Sequence, residues 1–199
     1  EPVLGWFKLM DLRGINSQFG YAQGDELIAD TARLLRQAFA DRHVCYVTSG
    51  EYCVLCYRDE AERGADRLQS QLLNYKPGMS VQSKIGFAVW QEGEPTISLV
   101  DRAKLALNSI LNSDRNARFY DSALDKEIHF RQYIIGHVDE AIEKGWLQVW
   151  YQPIARAVTG HVCNEEALSR WDDPVYGFLM PYRFIPLLED SGLMYKVNL

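Results

Sequence analysis

A few groupings in this 199-residue chain have residue types that could do chemistry. Glu51 is the sole carboxylate in residues 43–58, HVCYVTSGEYCVLCYR, where it follows Thr48-Ser49-Gly50. A carboxylate at the tip of a buried hairpin is a place where a fold puts chemistry. Cys53 and Cys56 have the CxxC spacing of a metal or redox pair. Residues three apart on a strand point to opposite faces, however, and no second pair with ligand spacing exists. Cys45, Cys53, Cys56 and Cys163 therefore read as buried, inert, reduced thiols, which fits a cytosolic protein. His43, His129, His137 and His161 form no ligand spacing. Further on, Glu166, Leu168 and Arg170 would share one face of a strand, with Glu166 and Arg170 about 13 Å apart.

The elements that must position these residues follow from periodicity. Val3 to Met10 reads as an apolar strand interrupted by Lys8, and residues 15–19 as one short helical turn. Gly24-Asp25 opens a helix carrying Leu27, Ile28, Leu35 and Phe39 at helical spacing. Two apolar runs around the Thr48–Glu51 break form a hairpin. Its arms are apolar at nearly every position, which predicts a hairpin central in its sheet and covered on both faces. A helix over residues 61–72, a strand over 81–89, a helix over 97–111 and a short strand at 118–120 complete the order β-α-β-β-α-β-α-β. That order predicts an α+β sandwich with a mainly antiparallel sheet. A polar helix over residues 121–144 then leads to strands at 147–153 and 161–171, with a turn at Thr159-Gly160. A last helix over 181–189 ends at Gly192.

Composition narrows the function classes. The length allows two domains, or one and a fraction. A net charge of −6 argues against a nucleic-acid surface but not against a small anionic ligand. No apolar run approaches membrane-spanning length and no signal peptide is visible, so a cytoplasmic segment without membrane contact is expected. The chain starts at Glu1 and enters a strand almost at once, which suggests a piece of a longer protein whose upstream part could carry a sensor or membrane anchor.

The run from Asn16 through Gly20 to Gly24-Asp25-Glu26 resembles the N-D-x-x-G-H-x-x-G-D-E run of GGDEF domains. Arg115-Asn116 resembles their late G-R-N, and Thr48-Ser49-Gly50-Glu51-Tyr52 falls where G-G-D-E-F should be. Tyr151-Gln152-Pro153, Glu166-Ala-Leu-Ser-Arg-Trp171 and Pro181 with Phe184-Ile185-Pro186 are similar to the Y-Q-P, E-A-L-x-R-W and P-x-x-F-I-P signatures of EAL domains. The pair makes and destroys cyclic di-GMP. The resemblance implies a palm-like GGDEF sandwich at 1–121, a linker helix at 122–145, and the start of a TIM-type EAL barrel at 146–199.

It also implies what is missing. The first-strand metal Asp of the family falls at Lys8, and the next strand Asp at Met10. Thr48, Ser49 and Gly50 replace the paired glycines and the acidic third residue, leaving Glu51 as a vestigial metal ligand. An inactive cyclase that requires no metal is therefore expected. Asn16 and Asp25 keep the spacing of guanine readers, although Asp25 as a helix N-cap and Asn16 as a turn residue are the alternatives. Arg115 remains from the phosphate-contacting pair, whose Lys position is Leu111, and Lys8 places a cation near the expected phosphates. The regulatory R-x-x-D site would lie at residues 39–42, where Phe-Ala-Asp-Arg does not match. In the EAL half the resemblance assigns Glu166 to a Mg²⁺ or Mn²⁺ ligand, Gln152 and Arg170 to cyclic di-GMP contacts, and Leu168 to packing on that ligand. Asn164 replaces the usual Gly two residues before Glu166. Three roles stay open: an EAL phosphodiesterase regulated by a silent GGDEF domain, a receptor for cyclic di-GMP, GTP or GDP, or a structural module of a homodimer. In each, unpartnered barrel residues (Val149, Trp150, Val162, Trp171, Phe178, Phe184 and Leu187) are expected to be exposed and to drive either association or local disorder.

Overall fold

A computed structural model describes residues 1–40 and 42–197; Asp41, Asn198 and Leu199 lie outside the described residues. The chain divides into two compact units, residues 1–124 and 125–199.

Among the described residues of the first unit, five strands form one sheet, in the order 44–48, 51–57, 2–9, 83–89, 117–119. The organising strand is β1 (Pro2–Leu9), paired antiparallel to β3 (Glu51–Tyr57) on one side and to β4 (Ser83–Val89) on the other. β5 (Ala117–Phe119) adds to β4 in parallel, so the sheet is mainly antiparallel as its pattern predicts. Both faces of β1 are apolar because both are covered. Val3, Phe7 and Leu9 join Leu27, Leu35, Leu68 and Leu72 of the helices α2 (Tyr21–Ala38) and α3 (Arg58–Leu73). Leu4 and Trp6 pack with Leu99, Ala103 and Leu107 of α4 (Thr96–Asn108) on the other side.

The hairpin is not central. β2 (Val44–Thr48) is the edge strand, and Cys45, Tyr46, Val47 and Thr48 are all exposed. Of β2 only the half-buried Val44 packs against the core, whereas its partner β3 reaches the interior through Tyr52, Val54 and Cys56 on one face. The apolar character of β2 is thus surface, and the expectation of burial on both faces fails there. The cysteine reading changes with it: Cys56 is buried, Cys53 half-buried, and Cys45 and Cys163 exposed.

The entry to α2 also differs from expectation. Asp11 caps α1 (Leu12–Phe19), its carboxylate accepting from the Gly14 amide at 3.0 Å. Gly20, at φ 87°, separates α1 from α2, so α2 begins at Tyr21. Asn16 therefore lies inside α1 and Asp25 inside the second turn of α2. Neither is the turn or cap residue of the alternative reading.

In the second unit α5 (Ser122–Glu143) supplies Ile134, Val138 and Ala141 to a core with Trp171, Leu179, Phe184 and Leu188. Among the described residues β6 (Leu147–Ala155), β7 (Val162–Asp173) and β8 (Gly177–Leu179) form an open antiparallel sheet rather than a closed barrel. α6 (Pro181–Asp190) starts with Pro at its first position, where no intrahelical N–H is needed. Trp171 and Phe184 are fully buried and Leu187 packs against the same core, contrary to expectation, because α5 and α6 residues cover that face of β7. Val149, Trp150, Val162 and Phe178 are exposed, as expected.

Candidate functional site

The first cluster gathers around the hairpin tip. Ser49 (φ 38°) and Gly50 (φ 80°) form a two-residue loop between Thr48 and Glu51, and the Gly50 carbonyl accepts from the Leu9 amide at 2.9 Å. This bond ties the tip to the end of β1. Glu51 is the register partner of Lys8, and Lys8 is in turn the partner of Lys84 on β4. The Lys8 ammonium stands 3.2 Å from Glu51 Oε1, while the Trp6 indole Nε1 donates to Glu51 Oε2 at 3.1 Å. Lys104 adds a further cation, 4.3 Å from the Trp6 ring centroid.

Both carboxylate oxygens of Glu51 are therefore engaged by fixed donors. A divalent ion would have to displace Lys8 and would then face its charge at short range. Two unit charges at about 4 Å repel by roughly 4 kcal/mol at an effective dielectric near 20. Among the described residues no group of three His, Cys, Asp or Glu side chains could hold a metal. This donor set does not fit the metals of a cyclase. The pair itself is half-exposed, so Lys8→Met is expected to change stability by no more than about 1 kcal/mol in a urea titration. A loss above roughly 2 kcal/mol would make the ion pair a structural requirement.

Lys84 was not anticipated, although a lone lysine in the apolar run of β4 is the visible signal. It is buried, and its ammonium donates to the carbonyls of Ser113 and Arg115, the latter at 2.9 Å. A buried cation needs such acceptors, and here they fasten the loop that carries Arg115 to the sheet. The Arg115 side chain is exposed.

Asn16 and Asp25 are presented by α1 and α2. A Cβ at Gly24 would stand 1.8 Å from Asn16 Oδ1, so only glycine lets the amide lie against α2. That oxygen is buried and has no hydrogen-bond partner. Asp25 is exposed one residue further on. Phe39, at the regulatory position expected from the family, is core, and Arg42 donates to Glu60 at 2.9 Å.

The second cluster lies on β6 and β7. Their register opposes Gln152 to Glu166, Trp150 to Leu168 and Gln148 to Arg170. The side-chain alternation of strands then puts Gln152, Glu166, Leu168 and Arg170 on one face, opposite the buried Trp171. Trp150 joins them: the Arg170 guanidinium is 6.0 Å from its ring centroid, and its indole donates to Gln148 at 3.2 Å. Trp150 is the residue sequence reasoning missed here, and cross-strand register was the signal that could have found it.

The family model described as "Diguanylate cyclase, GGDEF domain" matches residues 6–117, and the EAL domain model matches residues 136–199. An uncharacterized signaling protein of Caulobacter vibrioides is 32% identical over 90% of this chain and 24% of its own length. The bifunctional diguanylate cyclase/cyclic di-GMP phosphodiesterase MucR of Pseudomonas aeruginosa is 25% identical over 95% of this chain and 30% of its own. The chain thus spans about a quarter to a third of these relatives. Among solved structures, the S helix-GGDEF-EAL segment of Vibrio cholerae LapD, bound to c-di-GMP, superposes with a TM-score of 0.57 at 17% identity. That match covers 97% of this chain and 48% of LapD's. The GGDEF domain of TpbB from Pseudomonas aeruginosa gives 0.56 at 19% identity, over 64% of this chain and 81% of its own. This chain belongs to the diguanylate cyclase GGDEF-domain family and continues into the N-terminal part of an EAL domain.

Proposed function

We propose that this chain is a segment of a cyclic di-GMP signalling protein whose GGDEF unit has lost cyclase chemistry and regulates an EAL phosphodiesterase. The observation that carries the reading is the Lys8–Glu51–Trp6 cluster, in which the hairpin carboxylate is paired with an ammonium and accepts a hydrogen bond from an indole. Phosphoryl transfer between two GTP molecules depends on metal ions that offset charge on the phosphates, and this site offers them no free carboxylate pair. In the EAL half, Glu166 would supply one ligand to the Mg²⁺ or Mn²⁺ with which such phosphodiesterases work. Gln152, Leu168 and Arg170 would hold cyclic di-GMP on the same strand face.

Guanine binding without metal is supported by the orphaned Asn16 oxygen. An unmade buried hydrogen bond costs about 1–3 kcal/mol, which a ligand N–H reaching that acceptor would recover. Guanine presents adjacent N–H donors on one edge, and two acceptors, Asn16 Oδ1 and the Asp25 carboxylate, are the matching groups. For binding to regulate the EAL half, the nucleotide must favour one arrangement of α5 over another. A receptor that signals without catalysis is the second reading, and the same orphaned acceptor favours it.

The test has two parts. With GTP and Mg²⁺ or Mn²⁺ the protein is expected to form no cyclic di-GMP above a protein-free blank; product above that blank overturns the loss of cyclase chemistry. In EDTA, calorimetry is expected to show GTP and GDP binding tighter than about 1 mM, roughly −4 kcal/mol, and ATP at least about tenfold weaker, a gap of roughly 1.4 kcal/mol. Asp25→Ala should remove that preference. Equal affinity for ATP and GTP would end the base-reading claim and leave a structural dimer module as the better account.

A further inference from the structure

Cys45 and Cys53 stand directly opposite each other across the β2–β3 hairpin. The β-bulge between Tyr46 and Thr48 creates this pairing, since it shifts the register by one residue relative to the Thr48–Glu51 closure. Leu55 donates its amide to the His43 carbonyl at 3.0 Å. The antiparallel alternation then makes Cys45 and Cys53 a hydrogen-bonded pair, with Cα atoms about 5.5 Å apart. Disulfides bridge Cα separations of about 4.4–6.8 Å.

We propose that Cys45 and Cys53 form a reversible intramolecular disulfide, a redox-modification site on the sheet edge that a low-molecular-weight disulfide oxidises. Cys45 is exposed and makes the first attack: its thiolate displaces one small thiolate from the small disulfide, and that thiolate takes up the proton Cys45 gave to solvent. Cys53 then attacks the Cys45 sulfur and releases the second small thiol. Two protein thiols become one disulfide while one small disulfide becomes two thiols, so atoms and electrons balance. Cys53 is the second attacker rather than the first, because burial first and the neighbouring Cys45 thiol second push its own thiol up, and it resolves because it faces Cys45 directly. Cys56 is buried on the opposite face, where burial pushes its thiol up to about 12 and takes it out of exchange.

The position also favours reversibility. Cross-strand Cβ atoms lie about 4.5–5.5 Å apart, and a disulfide draws them to roughly 3.8 Å. The strain makes the bond more reducible, and β2 can yield because it pairs on one side only. Cys53 is the register partner of Trp6, whose indole holds Glu51, so oxidation stiffens the arm beneath the candidate site.

Oxidation of the folded protein with glutathione disulfide, followed by digestion after Arg and Glu, tests this. Cleavage at Arg42, Glu51 and Arg58 separates Cys45 from Cys53 and Cys56. The expected product is the two peptides joined and short of two hydrogens, released by dithiothreitol. The link should persist in Cys56→Ser and vanish in Cys53→Ser. Four free thiols after oxidation, a stable glutathione adduct on Cys45, a link through Cys56 or a link between chains would each overturn the proposal.

Discussion

Replacing Glu166 by Gln in the full-length protein is expected to lower hydrolysis of cyclic di-GMP by more than about 100-fold at saturating Mg²⁺ or Mn²⁺. Glutamine keeps the shape of the side chain and removes the charge that would hold the metal. Disturbing a residue that merely supports a metal ligand costs roughly 10–100-fold, so removing a ligand's charge should cost more. Glu166 is exposed, and the β6–β7 pairing rests on backbone bonds, so the fold should survive the change. Arg170→Ala is the informative contrast. Its guanidinium lies beside Trp150 on the same face, where it would bind substrate rather than metal, and its loss should raise KM more than it lowers kcat. Linear dinucleotide measured by chromatography reports both. If Glu166→Gln hydrolyses at the parent's rate, the role given to this strand face is wrong.

The element order and the mainly antiparallel sheet were legible in the sequence because the strand residues alternate or run apolar in lengths only a buried strand explains. The placement of β2 was not. Val44, Cys45, Tyr46 and Val47 are as apolar as a central strand, yet they lie at the sheet edge. Periodicity reports which residues tolerate burial, and neighbours decide which of them receive it. The start of α2 misled for a different reason. Gly24-Asp25 has the composition of a cap, but Gly24 is there because Asn16 presses against the helix. The same contact is the best structural trace of the candidate guanine site, so the misreading and the functional clue share one residue. Two other features depended on register, which composition does not carry. The bulge beside Val47 decides that Cys53 rather than Val54 faces Cys45, and the β6–β7 pairing brings Trp150 to the Glu166 face. The exposed apolar face of β6 and β7 was foreseen, whereas the burial of Trp171 and Phe184 was not, because it needed α5 and α6 to fold back over one side of β7.

Gly86→Ala is expected to destabilise the first unit by about 3 kcal/mol or more, a shift of over roughly 100-fold in its folding equilibrium. A Cβ on Gly86 would stand 2.1 Å from the Leu107 amide nitrogen and 2.2 Å from the Ala103 carbonyl oxygen. Both are backbone atoms of α4, so no rotamer change can relieve the overlap and the helix must lift from the sheet. Lifting it uncovers Leu4, Trp6 and Ala88, which form the core on that side. It also frees Trp6, the register partner of Gly86 and a donor to Glu51, so fold and candidate site should fail together. Gly136→Ala gives the opposite sign with the same chemistry. A Cβ there meets nothing within 4 Å in α5, and replacing a helical glycine should add about 0.5–1 kcal/mol to the second unit. Urea titration followed by hydrogen exchange assigns each change: β1 and β4 amides should lose protection in Gly86→Ala, and α5 amides should gain it in Gly136→Ala. Unchanged protection of β4 in Gly86→Ala would mean that α4 does not sit as close to the sheet as this packing requires.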